Sequence, residues 1–145
     1  MSPISGTSPS LAASAAARPT LQEQRQVQQL AQIDRQVRAH EQAHMAAAGS
    51  YARGGPSYTY TMGPDGKLYA VGGQVAIDTS PVTGSPEATI RKARAIQAAA
   101  NAPVDPSPQD RAVAAAAAQM ELAARLEQAS EDSEKASQRL LDVLA

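Results

Sequence analysis

From Leu21 onward the apolar positions keep two different rhythms. Leu30, Ile33 and Val37 recur at the i, i+3, i+7 spacing of one helix face. The stretch around them is rich in helix formers and free of proline. Thr20 stands at its start as an N-cap and Gly49 at its end as a stop. The pattern predicts a helix over residues 21–48. Continued by a turn or two, the same stripe carries His40, Glu41 and His44 to the inward face. Beyond Gly49 the period drops to two: tyrosine and threonine alternate over residues 57–62, and residues 67–71 and 74–78 are further short strand-like runs. Turn clusters at residues 63–66 and 72–73 separate them, which predicts a three-stranded antiparallel meander. So small a sheet is marginal alone, so one face is expected to pack on the preceding helix.

Two more helices are announced by their capping chemistry. Ser85-Pro86-Glu87 and Ser107-Pro108 each place an N-cap serine before a proline at the first helical position. The second helix carries an alanine run over residues 114–118, which permits close approach but little burial. The expected fold is α+β: a long helix on a small three-stranded meander, followed by two Ala-rich helices. Residues 1–20, rich in Ser, Pro and Ala without apolar periodicity, are expected to be a disordered leader. Residues 21–128 form the expected domain, and residues 129–145, where polarity rises, a polar helical tail.

Composition adds a constraint. The apolar fraction is 43%, but most of it is alanine and there is no Phe or Trp, so the core must be thin and the four tyrosines are expected to help fill it. Thin cores rely on staples, and a chain without cysteine has no disulfide; a metal or a partner remains. The Ala-rich C-terminal helices suit a protein partner. With 13 basic against 14 acidic residues there is no field to gather nucleic acid or an anionic membrane surface. No apolar run approaches the roughly 20 residues of a membrane span. The N-terminus lacks the basic and leucine-rich regions of a secretory signal, and the cytoplasm is the expected compartment.

The stretch His40-Glu41-Gln42-Ala43-His44 holds both histidines of the chain. Four residues apart on a helix, two imidazoles lie one above the other and can share a divalent ion. The glutamate between them stands beside the ion and can take a proton from water. A catalytic zinc also needs a third protein ligand, and no third histidine exists. Asp78 at the end of the third strand is the first choice. Its competing role is a turn with Thr79 and Ser80. Glu87 in a first helical turn and Asp65 in a Pro-Asp-Gly turn are alternatives with ordinary structural roles of their own. Any of Tyr51, Tyr58, Tyr60 and Tyr69 offers a hydroxyl for an oxyanion, and Arg53 a guanidinium for a carboxylate; core filling and solvation are the simpler roles.

Longer strings in this chain, HEQAH, GGPSYTY, GPDGKLYAVGG, IDTSP, PEATI and PSPQD, closely resemble the SprA-related family of bacterial proteins described as metalloproteases. The resemblance covers roughly residues 37–120. It implies a bacterial source, a zinc-binding HExxH with His40 and His44 as ligands and Glu41 as general base, and a peptide or protein substrate. The chain departs from the family at Gln74, where an acidic residue commonly follows the paired glycines; an amide oxygen is a weaker ligand. The expected function is a zinc-dependent hydrolase, with a metal-stabilised, non-catalytic interaction domain as the alternative.

Overall fold

The computed structural model describes residues 17–145. The leader expected over residues 1–20 therefore lies outside the described residues up to residue 16, and residues 17–20 are exposed and irregular. Helix α1 runs over Leu21–Ala48 and opens with a reciprocal capping box. The Thr20 hydroxyl accepts from the Glu23 N–H at 3.2 Å, and the Glu23 carboxylate accepts from the Thr20 N–H at 2.6 Å. It ends at Gly49, whose φ of 52° favours glycine. A single 3-10 turn, Gly49–Tyr51, leads into the hairpin.

Strands β1 (Ser57–Met62) and β2 (Leu68–Gln74) pair antiparallel and make up the sheet among the described residues. The expected meander of three strands is corrected to two. The Gly72-Gly73 pair does not turn: Gly72 lies opposite Thr59 and Gly73 opposite Tyr58, and a β-bulge between Thr59 and Tyr60 absorbs the extra residue Val71. The segment expected as the third strand turns back onto the 3-10 turn instead. Ile77 bridges Ala52, the Arg53 N–H donates to the Ala76 carbonyl at 2.7 Å and the Asp78 N–H to the Tyr51 carbonyl at 2.9 Å.

Helices α2 (Pro86–Ala100) and α3 (Pro108–Leu144) follow, with Ser85 and Ser107 as the expected N-caps. α2 packs between α1 and α3, while β2 lies on α1. The core is as thin as the composition requires: it is mostly alanine, and Ile96 is the largest fully buried side chain. The tyrosines do not fill it. Tyr60 is exposed, and Tyr51, Tyr58 and Tyr69 are half-buried. The Tyr58 ring lies under the Arg38 guanidinium, and the Tyr69 hydroxyl donates to Asp65 at 2.6 Å. Ile33 is also exposed. The inward stripe of α1 is Leu30, Asp34, Val37, Glu41, His44 and Ala48, with Asp34 accepting the Ala70 N–H of β2 at 2.8 Å. α3 continues unbroken through the expected boundary at residue 129, and from residue 132 onward every side chain is exposed.

Candidate metal centre

The two histidines on the last turns of α1 meet the first turn of α3. Asp110 occupies the third position of α3, where the capping box with Ser107 fixes it. The Ser107 N–H donates to Asp110 Oδ2 at 2.7 Å and the Asp110 N–H to the Ser107 hydroxyl at 3.1 Å. That places Oδ2 3.2 Å from His40 Nε2 and 3.1 Å from His44 Nε2, and the two Nε2 atoms are 3.2 Å apart. One carboxylate oxygen and two imidazole nitrogens thus form a nearly equilateral triangle. His40, His44 and Asp110 make up the group able to hold a metal ion among the described residues.

The protonation of His44 follows from its other nitrogen. Nδ1 lies 2.9 Å from the Ala99 carbonyl oxygen, which can only accept, so Nδ1 carries the hydrogen. In the neutral ring Nε2 is then a lone pair, and it faces a carboxylate oxygen that is itself an acceptor. Two acceptors at that separation call for a proton or a cation between them. The backbone carbonyl of α2 therefore does for His44 what an outer-sphere partner does for a metal-bound histidine. Burial works against ionisation of Asp110, but the hydrogen bonds from Ser107 and then His40 outweigh it, and its carboxyl is held below the usual range. The donor set also has the right size. Ligands about 2.1 Å from a tetrahedral zinc lie roughly 3.4 Å from one another, close to the three separations here.

Glu41 lies one residue from this triangle and is only 3% exposed. Its Oε2 is buried without a hydrogen-bond partner. Desolvation pushes its pKa above the ordinary 4.5, an effect that the neighbouring histidines reduce and Asp110 reinforces. A cavity of about 300 Å³ opens between α1 and β2, lined by Val37, His40, Glu41, Gly72, Gly73 and Ser107. A second, of about 620 Å³, adjoins the other side of His40 and is walled by Ala39, Ala43, Ala102, Pro103 and Val104. No tyrosine lines either one.

The other carboxylates weighed as third ligand are engaged elsewhere. Asp78, the first choice from sequence, accepts from the Lys92 ammonium and the Arg53 guanidinium, both at 2.8 Å, and from the Ser80 hydroxyl at 2.6 Å. Lys92, then Ser80, hold its pKa far below the usual range. It is a clamp on the loop before α2, and the carboxylate brought to the histidines is Asp110. Glu87 accepts from Gln128 at 3.4 Å, Asp65 caps the hairpin turn, and the side-chain amide oxygen of Gln74, Oε1, accepts from Gln109 at 3.2 Å. Arg53 is used by Asp78. The only signal for Asp110 in the sequence was the acid three residues after Ser107, which completes a capping box.

A helix-borne histidine pair joined by a carboxylate from a distant helix defines a small α+β protein with a candidate metal centre. The chain belongs to the SprA-related family, whose sequence model matches residues 11–141. No curated protein and no solved structure matches it. No helix among the described residues is long and apolar enough to cross a membrane.

Proposed function

We propose that this protein is a zinc-dependent hydrolase acting on peptides or proteins, with His40, His44 and Asp110 as the metal ligands and Glu41 as the general base. The observation that carries this reading is the pairing of a donor triangle of tetrahedral size with a buried, partnerless carboxylate beside it. Three protein ligands, His40, His44 and Asp110, would hold a zinc ion and leave it accessible to water or substrate, as in catalytic zinc sites. Zinc, when bound, supplies Lewis acidity that brings the pKa of water toward ~7.

The protein's own residues supply the rest. The Ala99 carbonyl holds the His44 ring in the tautomer that presents Nε2. Ser107 holds Asp110 ionised and pointed at the histidines. Glu41, its pKa raised by burial, is poised to take a proton from water at the cavity and pass it to a leaving amine. Glu41→Gln tests the assignment: zinc content should stay near one per chain while hydrolysis of an unfolded protein such as casein falls by at least about 100-fold. Unchanged hydrolysis would remove Glu41 from the chemistry.

A second reading has its own support in the alanine-dominated core. A metal that ties α1 to the start of α3 would stabilise such a fold without any catalysis. Under that reading zinc raises the melting temperature and no variant of Glu41 changes any activity.

A further inference from the structure

Gly73 is the residue that the site's geometry requires and that no role assigned above accounts for. Glu41 is buried directly against its backbone. A Cβ placed on Gly73 would lie 2.7 Å from Glu41 Cγ, 2.8 Å from Oε1 and 2.9 Å from Cδ. Side-chain carbons do not approach so closely, and the clash involves most of the glutamate side chain, which is held between helix and strand. The neighbouring Gly72 differs: a Cβ there meets only Thr59 Cβ, at an ordinary 3.8 Å. Neither glycine has the positive φ that would demand glycine for backbone reasons. The bulge at Val71 sets which residue of β2 overlies Glu41.

We infer that Gly73 is a positioning residue for Glu41: the missing side chain creates the cradle that seats the Glu41 carboxyl beside the histidine–aspartate triangle. This rests on the proposed role of Glu41 for its catalytic meaning, but the cradle itself does not. It also explains a glycine at residue 73 within β2, since glycine weakens a strand and often marks a place where another group approaches closely.

The test is a pair of double-mutant cycles on the full chain. In zinc-free protein, Gly73→Ala should lower the melting midpoint by roughly 4 °C or more. In a Glu41→Ala background, which removes the three atoms nearest the new methyl, the same change should be neutral or stabilising. Gly72→Ala should be near neutral in both backgrounds. In zinc-loaded protein, Gly73→Ala should leave the zinc dissociation constant within about twofold, because the three donors are untouched. It should lower kcat for casein hydrolysis by at least about tenfold with KM little changed, and Glu41→Gln/Gly73→Ala should be no slower than Glu41→Gln alone. Gly73→Ala as harmless as Gly72→Ala, or equally damaging with and without the Glu41 side chain, overturns the inference. Wild-type protein that binds zinc yet hydrolyses nothing overturns the proposed function instead, and the melting cycle still decides whether Gly73 seats Glu41.

Discussion

His44 Nδ1 lies 2.9 Å from the carbonyl oxygen of Ala99, so the second histidine of the HExxH helix is anchored to the last turn of α2 while its Nε2 faces Asp110 on α3. Three helices converge on one imidazole. The relationship links the candidate chemistry to packing, because the alanines that line these contacts set how closely the helices approach.

Enlarging those alanines should therefore loosen the site as well as the core. Ala117 of α3 is fully buried. Ala117→Leu is expected to cost about 1–3 kcal/mol by overpacking. Thermal unfolding monitored by circular dichroism checks the cost, and a parallel zinc titration should show weakened binding where α3, pushed from α2, carries Asp110 away from the histidines.

Asp78 and Asp110 are predicted to separate cleanly. Asp78 neutralises the Lys92 ammonium, whose side chain is 7% exposed, so Asp78→Asn leaves a nearly buried cation without its charged partner. The variant should melt below wild type and still bind zinc with wild-type stoichiometry. Metal analysis after dialysis, together with a melting curve, reads both outcomes; loss of zinc would return Asp78 to the ligand set.

The pH dependence of stability in zinc-free protein should carry two opposite signs. The Glu121 pKa is lowered to about 2, chiefly by Arg125 and then Gln97, so its contribution is fully present above 4.5 and is lost as the pH falls through about 2. Asp110, also depressed, contributes in the same direction, with loss beginning near 3.8. Glu41 runs the other way. Its raised pKa means that the folded state holds a proton that the unfolded chain has released, so stability declines as the pH rises from 4.5 through its folded value. Melting curves in chelator from about pH 2 to neutrality should rise and then fall, and Glu41→Gln should abolish the fall. A fall that persists in the variant would assign it to another group.

Near neutral pH the same substitution should stabilise the zinc-free protein, since it removes a buried charge whose Oε2 has no partner. The gain is expected on the order of 1 kcal/mol, because the amide remains imperfectly paired. Denaturant unfolding of Glu41→Gln beside wild type measures it. A variant no more stable than wild type would mean that the carboxylate is satisfied in solution.

Local chemistry made much of this fold legible in the sequence. Thr20, Ser85 and Ser107 are the N-caps because their hydroxyls accept backbone N–H groups that a helix start leaves unpaired. The inward turn of His44 and Glu41 followed from helical spacing alone. Ile33 was misplaced because Asp34, a polar residue, takes the inward position to accept the Ala70 N–H, a use that periodicity does not reveal. The paired glycines read as a turn for a similar reason. In a local window nothing distinguishes glycine that bends a chain from glycine that makes room for Glu41, 32 residues earlier. Asp110 is the hardest case. It joins His44 across 66 residues of sequence through the packing of α3 beside α2, and its capping role gave it a sufficient local explanation.

The most direct measurement is the zinc stoichiometry and affinity of the wild-type chain beside Asp110→Ala, by calorimetric titration with metal analysis. One zinc per chain is expected for wild type. Losing a direct ligand should cost more than losing an outer-sphere partner, so affinity should fall at least about 100-fold in Asp110→Ala. Wild-type protein that takes up no zinc, or an Asp110→Ala variant that binds it as tightly, would contradict the metal centre on which the functional assignment depends.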